Sequence, residues 1–243
     1  MMRERAGFLL DDLTEDTLVR WIEESLAAGS HRLGGGQQGQ VLLYSGNDRK
    51  LVIKTPVGRG PRHWLSILML RHEARVYERL ADFPAAPRCF GFLKRRYLVL
   101  EYVEGGLARH TNIPDREKFF SSLMTAIKTL HVRGIAHSDL QKQDNLLIRA
   151  DGSPCLIDFG AAVLRKEGMA PFNHWHFRLA CQFDFNQWVK FKYRKRLNEV
   201  PEADRRYYRR TPLERMARAL KRFGRRLRTG DPDRRYHPPK REE

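Results

Sequence analysis

His137-Ser138-Asp139-Leu140 is followed by Asp144-Asn145-Leu146-Leu147-Ile148 and then by Ile157-Asp158-Phe159-Gly160. A carboxylate, a carboxamide and a second carboxylate arrive in that order, each beside an apolar run that can anchor it. Oxygen donors so arranged can orient an alcohol and hold a Mg²⁺ ion from two sides. Either aspartate alone would read as an ordinary turn former, with Gly160 closing a turn. Both together, with Asn145 between them, favour chemistry over turn formation.

Working upstream, Gly34, Gly36, Gly39 and Val41 spell G-x-G-x-x-G-x-V, and Val52-Ile53-Lys54 follows. Glycines let backbone amides approach phosphate oxygens, because no Cβ intervenes. Strands follow the turn, which excludes a dinucleotide βα unit, and no Gly-Lys-Ser/Thr ends it, which excludes a Walker loop. Lys54 closes an apolar strand, where its ammonium can reach α- and β-phosphates. Alone it would read as an exposed strand terminus. Glu73, on a helix, can pair with Lys54 and fix its position. Alone it would face solvent. The order and spacing of the set point to ATP-dependent phosphoryl transfer.

The same residues suggest a division of labour. Asp139 is the candidate catalytic base or acceptor-orienting group, Asp158 the main metal ligand and Asn145 the second. Backbone groups of Glu101, Tyr102 and Val103 can meet an adenine edge, and Val41, Val52 and Leu147 can cover its faces. His137 reads as a brace for the loop, and His131 as the end of the preceding helix. Asp184, among bulky apolar neighbours, can accept backbone bonds from the catalytic loop.

The chain resembles the protein-kinase-like superfamily over residues 33–160. This resemblance implies an α+β, bilobal fold with a small antiparallel-sheet N-lobe and a reduced, mainly helical C-lobe. It also implies a nucleotide-binding lobe over residues 1–104 and a catalytic lobe over 105–243, with ATP and Mg²⁺ as cofactors. It carries the glycine loop onto Gly34, Gly36 and Gly39, the phosphate-binding lysine onto Lys54 and its partner onto Glu73. The catalytic aspartate falls on Asp139 and the metal ligands on Asn145 and Asp158. No Ala-Pro-Glu sequence or long segment follows Gly160, a shortness similar to lipopolysaccharide-core (Kdo/heptose) kinases and RIO-like kinases. The implied acceptor is a core-sugar hydroxyl. The alternatives are a Ser/Thr protein acceptor or a non-catalytic ATP-binding scaffold. One departure stands out. Five residues separate Asp139 from Asn145, where the family has four, so the loop must bulge and Asp144 can join or replace Asn145 at the metal. Lys142 lies near where a lysine can touch the γ-phosphate.

The periodicity predicts a helix over 14–28 capped by Thr14, and further helices over 64–80, 115–133 and 177–195. Residues 101–109 read as an interlobe linker made pliable by Gly105 and Gly106. A core is affordable in 243 residues that are 41% hydrophobic, and the net charge of +17 is concentrated toward the end. Residues 190–243 hold 20 Lys or Arg against 8 Asp or Glu. Thr211-Pro212-Leu213-Glu214 opens an amphipathic basic helix. It can dock on the second lobe, lie on anionic membrane or receive an acidic partner. Nucleic acid is the weaker reading, because no recognition module accompanies the charge. Cys89, Cys155 and Cys181 lack CxxC pairing, which disfavours a disulfide framework or zinc site. Residues 172–178, rich in aromatics and imidazoles, read first as packing, then as pocket lining. Without a signal peptide or spanning segment, the expected location is cytoplasmic, with peripheral contact at the inner membrane face.

Overall fold

In the computed structural model of the protein, residues 13–35, 40–46, 48–141 and 143–209 are described. The first element grows from its cap. Thr14 accepts from the Thr17 amide, and Glu15 and Asp16 bring negative charge to the first turn of α1 (Glu15–Ala28). Gly29 ends it in the left-handed conformation, at φ 66°. Leu18, Val19 and Ile22 turn inward and pack with Leu42, Ile53 and Val99 of the neighbouring sheet.

That sheet contains β1 (Arg32–Gly35), β2 (Gln40–Gly46), β3 (Arg49–Thr55), β4 (Cys89–Leu93) and β5 (Tyr97–Glu101). Its order is β1-β2-β3-β5-β4, and every pairing is antiparallel. Lys94 and Arg95 both take positive φ, which lets a tight turn match the twist of β4 and β5. Between β3 and β4 the chain forms α2 (Pro61–Arg79). This helix begins three residues before the predicted start, since Pro61 at the first helical position brings a preset φ and no orphan amide.

Beyond β5 the linker is shorter than predicted. Gly105–Leu107 is a strand, β6, paired with β8 (Leu146–Arg149), which pairs with β9 (Pro154–Leu156). The physical reason is close backbone approach. A Cβ on Gly105 would fall on the Ile148 carbonyl oxygen, so this glycine permits pairing here instead of pliancy. Helix α3 (Arg116–Val132) is capped by Asp115, which accepts from the Lys118 amide at 3.0 Å. Its Phe119, Phe120, Leu123, Ile127 and Leu130 are buried. A small ladder of β7 (Ile135–Ala136) and β10 (Val163–Leu164) follows.

Helix α4 (Pro171–Lys192) starts six residues before the predicted position. Pro171 again occupies the first turn, and the Asn173 amide ties that turn to Leu164 O and Lys166 N. A short helix, α5 (Glu202–Arg205), ends the described secondary structure. The main core joins Leu70 and Tyr77 of α2, Leu100 of β5, Phe120 and Ile127 of α3, Leu156 of β9 and Trp188 of α4. The protein is therefore α+β and bilobal, with an antiparallel sheet first and a helical region after it. Among the described residues no helix is long and apolar enough to cross a membrane. The predicted basic helix beginning at Thr211 lies outside the described residues.

Candidate active site

Strand β3 buries Leu51, Ile53 and Thr55 on one face and turns Val52 and Lys54 toward the cleft, the alternation a pleated strand imposes. Lys54 Nζ donates to Glu73 Oε1 at 2.7 Å and to Asp158 Oδ1 at 2.9 Å. Glu73 comes from the middle of α2 and is 3% exposed. The same Glu73 oxygen accepts the Phe159 amide at 3.1 Å, so one carboxylate fixes both the lysine and the backbone beside Asp158. Burial alone would push Lys54 down, but the Glu73 and Asp158 charges outweigh it and hold the ammonium above its ordinary value. Burial would likewise raise Asp158, but Lys54 and its hydrogen bond dominate and hold that carboxyl low. Both groups are therefore charged at neutral pH.

The catalytic loop hangs from α4. Asp184 is fully buried and accepts the His137 and Ser138 amides at 2.8 Å each, plus His131 Nε2 at 3.0 Å. His131, in the last turn of α3, thus joins helix and loop. His137 bonds Ile157 O through Nε2 at 3.0 Å, and its ring lies 4.8 Å from that of Phe159. Tyr77 meets Phe159 edge-on at 5.4 Å. This column of rings joins α2, the Asp158 turn and the catalytic loop into one packed unit. Asp158 itself sits at φ 62°, a left-handed conformation that a short carboxylate tolerates better than most side chains.

The extra loop residue is absorbed by a 3-10 turn over Gln143–Asn145. Asn145, 5% exposed, donates its amide to Asp139 O at 3.0 Å and Asp139 Oδ2 at 3.2 Å. Its backbone carbonyl accepts the Ile157 amide at 3.0 Å, tying it to the strand that delivers Asp158. Asn145 Oδ1 is thereby left for another partner. Asp144 lines the same cleft and lies in a salt bridge with Arg109 at 3.0 Å. Lys142 lies outside the described residues.

Lys54, Asn145 and Asp158 converge on a cavity of about 490 Å³ between the lobes. Val41, Val52 and Leu147 line it, as do residues 101–103. Glu101 contributes backbone, because its side chain turns back to accept the Arg88 amide at 2.9 Å. The Glu101 and Tyr102 amides donate to Arg88 O and Lys50 O. Gly34 pairs with Val41 at the cavity's roof, whereas Gly36 and Gly39 lie outside the described residues. Asp139 does not line the cavity but is held beside it through Asn145. One carboxylate and one carboxamide suit Mg²⁺, which keeps several waters and takes its remaining ligands from phosphates. Among the described residues there is no cluster of three acidic, histidine or cysteine ligands that would suit a metal held by protein alone.

Sequence reasoning missed Tyr77, Leu33, Pro87, Leu100 and Ile157 of this cavity, and the Arg109–Asp144 pair. A signal for Tyr77 existed. It lies four residues after Glu73, hence on the same helical face one turn along. Its hydroxyl is buried, and burial pushes its pKa well up, so it stays a neutral wall.

A protein kinase domain family model matches residues 28–179. The chain belongs to the protein kinase domain family. Within it, the kinase domain is 36% identical over 109 residues to protein kinase C zeta type of Oryctolagus cuniculus, covering 41% of this chain and 18% of that protein. It is 30% identical over 132 residues to CBL-interacting serine/threonine-protein kinase 8 of Arabidopsis thaliana, covering 50% and 27%. The chain thus spans about a fifth to a quarter of the length of these relatives. Among solved structures it shares the fold of the Rio2 kinase–ADP/Mg²⁺–phosphoaspartate complex from Chaetomium thermophilum. There the TM-score is 0.52 at 17% identity, covering 84% of this chain and 69% of that one.

Proposed function

We propose that the protein is an ATP- and Mg²⁺-dependent phosphotransferase, with residues 1–104 binding the nucleotide and 105–243 carrying the chemistry. The observation that carries this reading is the convergence of Lys54, Glu73 and Asp158 at 2.7 and 2.9 Å in a cleft that Asn145 also lines. Lys54 orients the α- and β-phosphates, and Glu73 keeps Lys54 aimed. Asn145 and Asp158 would hold the metal, which when bound neutralises phosphate charge. Adenine would lie against the backbone of residues 101–103, between Val41, Val52 and Leu147. Asp139 would orient the acceptor hydroxyl and take its proton as the acceptor oxygen bonds to the γ-phosphorus, the bond between the β- and γ-phosphates breaks and ADP leaves. Catalysis of this kind is positioning and charge stabilisation.

For the acceptor, the reading is a hydroxyl of a lipopolysaccharide core sugar. It is supported by the short stretch between Gly160 and α4, which leaves little chain to cradle an extended peptide. A Ser/Thr protein acceptor is the second reading, favoured by the identity to two named protein kinases. Labelled ATP offered in parallel to purified glycolipid and to lysate proteins separates them. Transfer to glycolipid alone supports the sugar, and transfer to protein alone removes it. Loss of core-sugar phosphate in cells carrying Asp139→Asn is the matching result in vivo. Unchanged core phosphorylation would rule the sugar out. The scaffold reading requires nucleotide binding without turnover, and metal-dependent transfer lost in Asp158→Ala excludes it.

A further inference from the structure

We infer that the outer face of the first half of α4, with the basic hollow beside it, is a contact surface for an anionic lipid bilayer. The inference does not depend on the phosphotransfer reading, because it uses none of the cleft residues. The helix is apolar where it should be polar. Its inner face buries Phe177, Ala180 and Asp184. Phe172 and Trp175, with half-buried Leu179 one turn on, follow at helical spacing on the opposite face, beside the exposed His176 and Arg178. Phe172 is 88% exposed and Trp175 62%, and Met169, just ahead of the helix, is fully exposed. Val132, at the end of α3, is 88% exposed on the rim of the adjoining hollow.

That hollow, about 330 Å³, is lined by Arg79, Arg133, Arg165, Lys166 and His174, with Glu167 as its one carboxylate. Arg79 donates to Arg165 O at 3.0 Å and Arg133 to Ala81 O at 2.8 Å. His174 Nε2 meets Lys166 O at 2.9 Å. Carbonyl partners place these side chains without cancelling their charge. Among the described residues, none of the four Arg and Lys side chains is in a salt bridge.

Charge complementarity identifies the occupant. Residues 210–243 carry 12 Lys or Arg against 5 Asp or Glu, the same sign as the hollow, so that basic segment does not complement it. An anionic leaflet attracts clustered Lys and Arg, and its interface accepts tryptophan rings at headgroup depth with smaller apolar groups beneath. Protruding aromatics next to uncompensated cations match that surface on both counts. The β7–β10 ladder joins the hollow to the catalytic loop. Gly134 O accepts the Arg165 amide at one end and His137 begins the loop at the other, three residues or about 10 Å away.

Co-sedimentation of the full chain with phosphatidylglycerol/phosphatidylcholine vesicles tests this. Native protein should partition strongly into anionic vesicles and weakly into pure phosphatidylcholine. Phe172→Ser combined with Trp175→Ser should weaken anionic partitioning at least about tenfold, the loss expected when one or two aromatic side chains no longer leave water. Trp64→Ser with Leu65→Ser removes another exposed apolar pair, on α2, and should change it by less than about twofold. Lys166→Glu should weaken it several-fold at low salt, with the difference shrinking at about 0.5 M salt, where the Debye length is only a few ångströms. All these side chains are exposed, so the variants should unfold with the native transition. Equal partitioning of native and α4 variants, or equal binding to neutral and anionic vesicles, would overturn the inference. So would a lipid-free dimer that the α4 substitutions dissociate, since the face would then belong to a second copy.

Discussion

Replacing Lys54 with Met keeps the aliphatic stem and removes the charge that two carboxylates share. Glu73, whose side chain is 4% exposed, would keep only the Phe159 amide. Breaking a buried ion pair costs about 3–5 kcal/mol when the remaining charge is uncompensated. Asp158 is 33% exposed and recovers part of its share from solvent, so the net loss should be roughly 2–4 kcal/mol. For a chain of this size that lowers Tm by about 5–12 °C. The pH dependence follows from the two displaced groups. Asp158 is held below its ordinary 3.8, so its contribution is present above that pH and disappears as pH falls through the lower, folded value. Lys54 is held above 10.5, so its contribution is present below that pH and disappears as pH rises through the higher, folded value. The native advantage over Lys54→Met is therefore a plateau across neutral pH that declines at both extremes. Urea unfolding at pH 7 and pH 3 measures it as a difference in midpoint at constant m. A variant as stable as the native protein at pH 7, or a gap as wide at pH 3 as at pH 7, would mean that the Lys54 ion pairs do not stabilise the fold in this way.

Asp184→Ala orphans two buried backbone amides, each worth about 1–3 kcal/mol, and should cost roughly 3–5 kcal/mol in urea melts. Asp184→Asn, which keeps one acceptor, should cost about half as much. Gly105→Ala drives a Cβ onto the Ile148 carbonyl and should destabilise by about 2 kcal/mol or more. Gly152→Ala, at φ 78° but with open space around its Cβ, should cost only about 1 kcal/mol in the same assay. Burial pushes the Cys89 and Cys155 thiols up to about 11 and Cys181 to about 12. All three should react slowly with a thiol reagent at pH 7 and rapidly once the chain is unfolded.

The elements that sequence placed well are those whose signals are local. The Thr14 cap, the apolar stripe of α1 and the Asp115-capped α3 depend on neighbours within a turn or two. The pairing of Lys54 with Glu73 spans 19 residues, yet it was readable because each residue gains meaning from the other. Asp184 stood out as a carboxylate among bulky apolar residues, and it does accept the catalytic-loop amides. Gly105 was misread because a glycine that permits close pairing looks, in sequence, like one that permits bending. The start of α4 depends on Asn173 bonding to Leu164 of β10 and to the Lys166 amide just beyond it, a tertiary contact without a local mark. Tyr77 stayed hidden because its place opposite Phe159 needs the packing of α2 over the Asp158 turn. The Arg109–Asp144 pair arises from the path of the lengthened loop, which the extra residue signalled without specifying.

Phosphoryl transfer from γ-labelled ATP, with and without Mg²⁺, in the native chain and in Asp158→Asn, is the decisive measurement of metal-dependent chemistry in this cleft. Metal-dependent transfer by the native chain is expected, with a loss of at least about a hundredfold in Asp158→Asn, the scale of losing one preorganised electrostatic contact in an active site. Urea stability of that variant should fall only modestly, because Lys54 keeps Glu73. Transfer at the native rate by Asp158→Asn, or transfer by the native chain that is indifferent to Mg²⁺, would contradict that chemistry.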